Sequence, residues 1–536
     1  MKHRGIVMGR KGMVASAHTL ISSSGLKVLQ NGGNAMDATI AMALTSSVVL
    51  PDMAGLGGDA FMLYYDAKTK KITAINGSGP APKKASIEAY RALGYTKVPS
   101  DGIHSVTVPG AVDVYFKSLE LYGSKSFSEL SQDAIDLAIN GVPVSEKVAR
   151  HMHTDYTKML RFDNLKNIYL NHDIAYEPGD IVRNVEYGKS LQYLCEHGRD
   201  GFYKGELADK IIAYSHKKGG LFEKEDFENY HCEIVEPISI EYRNHRVYQT
   251  PPVSQGIIHL QELGILNHFD MSQYPVDTAK SIHLMVEAKK IAFNDRMKYF
   301  GDPLFVTNPT DILLSDEYTK KMADKIKMDS CINEDVDLDE DLGHTTSMIC
   351  VDKEGNAVSF IHSISATWGS GEMVDGTGII LNNRAGSGFN LNEGHPNALA
   401  PAKRVMHTLN TYLITDLEGN LRYVGNTPGG DNQPQWNMQN VCNILDYNLD
   451  VQSALEHGKW ADNCYIDEDG TRKHILKIEK QVGQEVLDEL KAMGHVLQII
   501  EPFTCSGASQ LIEIREDGLR LGGSDPRADG AAMPEI

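Results

Sequence analysis

A threonine that could activate its own hydroxyl as a nucleophile occupies position 345. Seven acidic residues and no basic residue lie between positions 329 and 341, and Gly343-His344-Thr345-Thr346-Ser347 then leads into a β-like run. If the chain is cut before Thr345, the new α-amino group, with a pKa of about 7.7 to 8.0, provides a general base beside the hydroxyl. The simpler interpretation of Thr345 is an ordinary strand residue.

A pair of glycines is the second feature that could take part in catalysis. Gly429 and Gly430 lie in Thr427-Pro428-Gly429-Gly430-Asp431, directly after a β-like run. Adjacent glycines let backbone N–H groups turn toward a bound anion, so the pair predicts an oxyanion hole, with a tight turn as the alternative. No GxSxG or HExxH pattern is present to suggest another hydrolase chemistry.

Metal and redox chemistry find little support in the sequence. The seven cysteines are far apart, form no CxxC pair and are predicted to be reduced thiols. His151 and His153 form the only closely spaced histidine pair, and we interpret them as a surface pair because no carboxylate or third histidine is nearby in the sequence. We therefore predict no metal site and no cofactor.

Four hairpin patterns predict the sheets that must position these segments. Each pattern consists of two β-like runs around an acidic turn, and the pairs are 61–65 with 71–76, 346–351 with 357–363, 412–415 with 421–425, and 510–514 with 519–522. Helices are predicted at Ser22–Gln30, Asn34–Leu50 and Thr278–Phe300. Because hairpins occur near both ends of the chain, we expect the two ends to share one core in a layered α+β architecture.

Composition limits the classes of partner. The 536 residues carry a formal net charge of −20, which disfavours nucleic acids and anionic lipid surfaces and favours a small-molecule partner. The longest apolar stretch, around 38–50, is shorter than the roughly 20 residues that a membrane helix needs. The basic start of the chain is not followed by the apolar run of a secretory signal, so the sequence predicts a cytoplasmic protein.

Several ordered segments resemble the γ-glutamyltranspeptidase family of N-terminal-nucleophile hydrolases. They are 12–44, 55–65, 287–303, 345–360, 376–383, 427–435 and 524–527. The resemblance implies a four-layer αββα sandwich whose precursor cuts itself before the catalytic threonine. Here that bond would join His344 to Thr345, and the cut would separate a large portion, 1–344, with an acidic mobile linker at 329–341, from a small portion, 345–536. Both portions would form one globular heterodimer, whose further association the sequence leaves open.

The resemblance also implies roles for residues at matching positions. Thr345 would be the nucleophile, and Ser363 would hydrogen-bond to it. Gly429 and Gly430 would form the oxyanion hole, and water or an amine would accept the acyl group. The substrate-binding positions correspond to Ser78, Ser365, Arg384, Ser387, His407 and Thr408.

These substrate-binding positions depart from the family pattern. Typical members hold the α-carboxylate of the substrate with an arginine and two serines, for which this chain has Ser78, His407 and Thr408. They hold the α-amino group with Asn, Gln and Asp, for which this chain has Ser365, Arg384 and Ser387. An ammonium group would thus face Arg384 with no acid opposite. We hypothesise an acyl group without a free α-amino group, whose carboxylate or carbonyl meets Arg384; the alternative is that Arg384 points to solvent.

The sequence therefore predicts a self-processing amidohydrolase or acyltransferase that acts on γ-glutamyl or related small amides. An acylase or oxamate-type amidohydrolase is the alternative enzyme, because the changed binding positions are similar to that branch of the family. A binding protein that kept the fold and lost catalysis is the alternative from another class, although the retained Thr345, Ser363 and glycine pair count against it. Arg404, Asp431 and Asp525 could organise the site or simply form ion pairs.

Overall fold

The computed structural model describes residues 3–332, 343–466 and 472–536. Residues 333–341 of the predicted acidic linker lie outside the described residues. The strands are β1 Val7–Gly9, β2 Met13–Ser16, β3 Asp59–Tyr65, β4 Ile72–Gly77, β5 Val142–Pro143, β6 Leu170–Asn171, β7 Ile174–Ala175, β8 Ile181–Val182, β9 Glu233–Val235, β10 Ile238–Tyr242, β11 His245–Gln249, β12 Thr346–Val351, β13 Ala357–Ser363, β14 Tyr412–Asp416, β15 Leu421–Asn426, β16 Trp460–Ile466, β17 Arg472–Glu479, β18 Leu497–Ile500, β19 Gln510–Ile514, β20 Arg520–Ser524 and β21 Ala531–Pro534.

The α-helices surround these strands. They are α1 Thr19–Gln30, α2 Ala35–Val49, α3 Ile87–Ala92, α4 Ala111–Tyr122, α5 Phe127–Leu130, α6 Gln132–Asn140, α7 Glu146–Thr154, α8 Tyr156–Met159, α9 Asp163–Tyr169, α10 Val185–Tyr203, α11 Glu206–Lys217, α12 Lys224–Glu228, α13 Gly256–Leu266, α14 Ala279–Tyr299, α15 Thr310–Leu313, α16 Asp316–Ala323, α17 Arg384–Gly388, α18 Asn432–Leu445, α19 Val451–Glu456 and α20 Gln484–Ala492. Among the residues that the structure describes, no helix is both long and apolar enough to cross a bilayer.

Two seven-stranded antiparallel sheets form the centre of the fold. One has the order β21-β2-β12-β13-β3-β4-β9 and the other β1-β20-β19-β15-β14-β11-β10. All four predicted hairpins are confirmed as β3–β4, β12–β13, β14–β15 and β19–β20. Apolar side chains from both sheets, such as Leu63 and Ile349 from one and Leu413 and Ile512 from the other, pack in the layer between them.

Helices cover the outer face of each sheet. Helices α1, α2, α4, α6 and α10 share a core with the first sheet, and α13, α14, α18 and α19 share one with the second. This arrangement confirms the predicted αββα sandwich. The predicted helix at Asn34–Leu50 is α2, which Asn34 and Asp37 begin with a capping box. The helix predicted from Ser22 begins earlier, at Thr19, because the His18 side chain accepts a hydrogen bond from the Leu20 N–H.

The register of the sheets brings Thr345 and the glycine pair to one end of the sandwich. Thr346 pairs with His362 at the start of the β12–β13 hairpin, so Thr345 lies at its open end, beside Ser363. The glycine pair follows β15 and precedes α18. Asn426, the last residue of β15, donates to the Phe360 carbonyl at 3.0 Å across the two sheets. This contact joins the end of β15, just before the glycine segment, to β13, the strand that pairs with β12 after Thr345.

Candidate active site

The peptide bond before Thr345 is held from both sides. The Ser363 hydroxyl donates to the His344 carbonyl oxygen at 2.6 Å, and the His344 N–H donates to the Ser365 carbonyl at 2.8 Å. The Ser365 N–H in turn donates to Ser363 Oγ at 2.8 Å, which orients that hydroxyl. Thr345 itself is 3% exposed. The two predicted residues are neighbours, but the Ser363 hydroxyl bonds to the His344 carbonyl, which it polarises, rather than to Thr345.

The glycine pair adopts backbone conformations that favour glycine. Gly429 has φ 139° and Gly430 has φ 56°, both in the left-handed range, and a Cβ on Gly429 would lie 2.2 Å from the Trp436 ring. The Gly430 carbonyl accepts a hydrogen bond from Gln255 Nε2 at 2.9 Å. Arg296 donates to the Gln255 Oε1 at 2.7 Å. Gln255 and Arg296 were not predicted as site residues, although Arg296 lies within the family-like segment 287–303.

A cavity of about 500 Å³, here the threonine cavity, contains Thr345 and Gly429 in its wall. Its other lining side chains include the cations Lys147 and Arg150 of α7, Lys477 of β17 and Arg527, the acids Glu146 and Asp529, and the aromatic rings of Trp436 and Phe503. Arg527 is paired with Glu479 and Asp525. Within the described ranges, Lys147, Arg150 and Lys477 form no ion pair and no side-chain hydrogen bond. Burial lowers the pKa of Lys147, although Asp52 and Asp529 oppose the shift.

A second cavity of about 420 Å³, the arginine cavity, has Arg384, Ser387 and Thr408 in its wall. Arg384 is 2% exposed, so the alternative that it points to solvent is wrong. Its Nη1 donates to Thr408 Oγ1 at 3.2 Å, and its Nε lies 3.6 Å from Asp59 Oδ2. The expectation that no acid stands opposite Arg384 is therefore also wrong. Asp59 belongs to the family-like segment 55–65, and only the fold brings it to Arg384.

Asp59 is shared by several buried groups. His407 Nε2 donates to Asp59 Oδ2 at 3.1 Å, and the Gly79 N–H donates to Asp59 Oδ1 at 3.1 Å. Burial, together with the nearby Arg384, lowers the pKa of His407 to about 4, so its ring is neutral at physiological pH. The Ser78 hydroxyl donates to Asn76 Oδ1 at 2.7 Å. Neither His407 nor Ser78 is among the described residues that line the two cavities. Both residues therefore lie behind the cavity walls.

A pair of hydroxyl groups connects the cleavage site with the arginine cavity. Ser365 Oγ and Ser387 Oγ lie 2.7 Å apart, and Ser387 lines that cavity while the Ser365 backbone holds His344. Ser365 has φ 81°, a strained conformation for a residue with a Cβ. Thr345, Ser363, Ser365, Ser387 and Arg384 thus form one continuous region, as the family resemblance implies.

The three other polar residues considered from sequence all form ion pairs. Arg296 holds the Asp431 carboxylate through both guanidinium nitrogens, and this pair lines the arginine cavity. Arg404 Nη1 lies 3.0 Å from Glu233, and its Nε donates to the Ser78 carbonyl. Asp525 pairs with Lys459 and Arg527. Of these three residues, only Asp431 lines one of the two cavities, where it is paired with Arg296.

The two histidines of α7 differ from each other. His153 is 53% exposed and lies 3.1 Å from Glu177, as expected for a surface residue. The interpretation as a surface residue is wrong for His151, whose side chain is 13% exposed. Its Nδ1 lies 2.6 Å from Asp52 Oδ2, and its ring lies 5.0 Å from that of His344. Asp52 is distant in sequence, which is why the carboxylate was missed.

One group in the described part of the chain could present three ligand atoms to a metal ion. His283, Glu287 and His495 place these atoms within 4.8 Å of one another. The atoms already have partners, because His283 Nδ1 and His495 Nε2 share a hydrogen bond of 2.8 Å and Glu287 accepts from Lys290 Nζ at 2.8 Å. A buried ammonium group beside the carboxylate repels a divalent cation, so we interpret the group as a hydrogen-bond network.

The αββα sandwich and the threonine at the head of an inner strand define an N-terminal-nucleophile hydrolase fold. The family model for γ-glutamyltranspeptidase matches residues 22–535, and the chain belongs to this family. The chain is 35% identical to the glutathione hydrolase-like YwrD proenzyme of Bacillus subtilis, over 98% of this chain and 99% of that protein. It is 30% identical to the oxamate amidohydrolase proenzyme of Klebsiella pneumoniae, over 97% and 98% of the two chains.

A solved structure agrees with this assignment. The crystal structure of cephalosporin acylase from Bacillus halodurans superposes with a TM-score of 0.93 at 33% identity, covering 100% of this chain and 97% of that one. The protein is therefore an autoprocessed amidohydrolase or acyltransferase of the γ-glutamyltranspeptidase family. Because the names of these relatives imply different amide substrates, membership in the family does not select the acyl group.

Proposed function

We propose that the chain cuts itself between His344 and Thr345 and then hydrolyses small amides with Thr345 as the nucleophile. This proposal rests mainly on the Ser363 hydroxyl, which lies 2.6 Å from the carbonyl oxygen of the bond to be cut, beside a buried Thr345. A hydroxyl donor at this place stabilises negative charge that develops on the carbonyl oxygen during attack. After the cut, this hydroxyl is available to hydrogen-bond to Thr345 Oγ, the role that the family resemblance implies for Ser363.

Self-cleavage requires only groups of the chain and one water molecule. Thr345 Oγ adds to the His344 carbonyl carbon, the bond from that carbon to the Thr345 nitrogen breaks, and the proton from Oγ passes to the nitrogen. Water then hydrolyses the ester, which leaves a carboxylate on His344 and restores the Thr345 hydroxyl. The products are fragments 1–344 and 345–536, and Thr345 gains a free α-amino group.

In turnover, the free α-amino group takes the hydroxyl proton as Thr345 attacks the substrate amide. The backbone N–H groups at Gly429 and Gly430 stabilise the tetrahedral oxyanion, and the amine leaves with a proton from the ammonium group. Water or a second amine then takes the acyl group. The fragments remain associated in this proposal, because β2 and β3 of the large portion flank β12 and β13 of the small portion.

The arginine cavity supports an acyl group that carries a carboxylate or carbonyl. Arg384 lines this cavity and its partner Asp59 does not, so the cation of this pair faces the ligand. Asp431 also lines the cavity, but Arg296 neutralises it through a paired contact. A free α-amino group would therefore meet no unneutralised acid there. This charge arrangement favours acylase or oxamate-type substrates over γ-glutamyl compounds.

The threonine cavity accommodates the amine half of the substrate, because it contains Thr345 while the arginine cavity takes the acyl half. Lys147, Arg150 and Lys477 give it an excess of positive charge over Glu146 and Asp529. An amine that carries a carboxylate suits this cavity better than a neutral amine. The cytoplasmic location remains a prediction.

Two measurements test the proposed function. The intact mass of the denatured protein should reveal fragments of about 38 and 21 kDa, by chain length from 59.1 kDa for 536 residues, with Thr-Thr-Ser at the new N-terminus. Rates with glutathione should then be compared with those for N-acyl and oxamate-type amides. A clear preference for glutathione would contradict the assignment of the acyl group. A chain that stays whole and hydrolyses nothing would favour the non-catalytic binding protein.

A further inference from the structure

The residue before the cleavage site is held by a histidine–aspartate pair. His151 meets the His344 ring edge-on, with 5.0 Å between ring centroids and 65° between ring planes. Asp52 Oδ2 accepts a hydrogen bond of 2.6 Å from His151 Nδ1 and is fully buried. These three side chains come from the segment after α2, from α7 and from the end of the large portion, so only the fold assembles them.

Asp52 is anchored to the same loop that holds the scissile carbonyl. The Trp368 N–H donates to the Asp52 carbonyl at 2.9 Å, and the Ile364 N–H donates to that of Met53 at 2.9 Å. Both donors follow Ser363, whose hydroxyl binds the His344 carbonyl. The backbone of His344 and the Asp52–His151 pair that meets its ring are therefore both attached to the loop that follows Ser363.

The surroundings of His344 keep its ring neutral. Burial lowers its pKa to about 4, and the nearby His151, Lys147 and Lys158 add to this shift, while Asp52 opposes it. A neutral ring can pack edge-on against His151 without a buried charge. The contact is thus one of shape and orientation.

We propose that the Asp52–His151 pair is a positioning device for self-cleavage, which holds His344 so that its carbonyl carbon stays in reach of Thr345 Oγ. Before the cut, Thr345 has no free α-amino group, so the first reaction lacks the base that later serves turnover. Accurate placement of the reacting atoms then accounts for a larger share of the rate. This inference rests on the proposed cleavage between His344 and Thr345.

The test follows the self-cleavage of the full chain with time after cell-free synthesis, by intact mass. His151→Gln removes the ring contact and should slow the cut at least tenfold. His153→Gln is the matched control on the same helix, because His153 is exposed and pairs with Glu177, and it should cleave within twofold of wild type. Asp52→Asn keeps an oxygen acceptor for His151 Nδ1–H and should slow the cut less than Asp52→Ala.

A double-mutant cycle separates positioning from a general effect on folding. In a His344→Ala background the ring contact is gone, so adding His151→Gln should change the cleavage rate less than twofold. As a check on folding, His151→Gln should shift the melting temperature of the uncut Thr345→Ala protein by less than about 3 °C. A larger shift would assign the slow cut to instability and overturn the inference.

The remaining outcomes distinguish this inference from the proposed function. If wild type is cut before Thr345 and His151→Gln is cut at the same rate, the positioning role is wrong and the proposed function stands. The same holds if His151→Gln slows the cut equally with and without His344. If wild type is cut elsewhere or not at all, both proposals fail.

Discussion

The threonine cavity contains three cations without an ion pair among the described residues, whereas the arginine cavity contains one, the exposed Lys97, and both of its arginines stand beside buried carboxylates. Unpaired charges at a cavity wall attract anions over a distance, and salt screens that attraction. Paired and buried charges are fixed in geometry and discriminate by shape and hydrogen bonding. The difference suggests that the amine half of the substrate is selected loosely by charge and the acyl half strictly by fit.

Replacing the nucleophile should have the largest effect, because substrate selection by either cavity requires the acyl-enzyme to form. Thr345→Ala should leave one uncut chain and reduce turnover at least a thousandfold, whereas Thr345→Ser keeps a hydroxyl and should still be cut. Intact mass and the rate of amine release measure both effects. A cleaved and active Thr345→Ala protein would disprove the assignment of the nucleophile.

Changing the arginine cavity should alter which acyl group is accepted. Arg384→Gln removes the cation that faces the ligand and should lower kcat/KM for oxamate-type amides about a hundredfold, or about 2.7 kcal/mol. Adding Ser387→Asp supplies an unneutralised acid, so the double variant should gain activity on glutathione relative to oxamate-type amides. Equal losses for both substrates would indicate a structural role for Arg384 instead.

Changing the threonine cavity should have a smaller and salt-dependent effect. A matched pair of anilides, with one acyl group and with or without a carboxylate on the ring, isolates the amine half. We expect Lys147→Met to reduce the preference for the carboxylated anilide about fivefold, and 0.5 M salt to reduce that of wild type. Lys477→Met applies the same test to the cation that β17 contributes to this cavity. No preference in wild type would mean that these cations do not select the amine.

Acid should destabilise both sides of the site through buried neutral histidines. Burial lowers the pKa of His407, behind the arginine cavity, and of His344, beside the threonine cavity, to about 4 in the folded chain. Unfolded histidine titrates near 6.5, so the free energy of unfolding should be level above about pH 6.5 and fall as the pH decreases toward about 4. For His407 the loss is on the order of 3 kcal/mol. Urea unfolding of the Thr345→Ala chain between pH 4 and 7 measures it, and a His407→Gln variant with an unchanged pH slope would exclude His407 as the cause.

Much of the fold and part of the site could be predicted from the sequence. The four hairpins and the helix at Ala35–Val49 were predicted because their patterns are local, set by alternation, turn residues and caps. Thr345, Ser363 and the glycine pair were predicted from motif order and from the backbone freedom of glycine. The αββα sandwich came from the family resemblance rather than from periodicity.

The partners of these residues could not be predicted, because they depend on contacts between distant segments. Asp59 approaches Arg384 and His407 across more than 300 positions of the chain, and Asp52 reaches His151 across 99. No local sequence pattern predicts such a long-range contact. For the same reason, the sequence indicated an unopposed arginine and a surface histidine where the fold has buried pairs.

By itself, then, the sequence determined the family, the layers of the fold and the candidate nucleophile, since each follows from residue types in order along the chain. Only the tertiary structure decided how charge is distributed around Thr345. It placed Asp59 behind Arg384, left Lys147 without an ion pair in the described residues and set His151 against His344. Burial and proximity decide the charge state and the orientation of a side chain, and both exist only once the chain has folded.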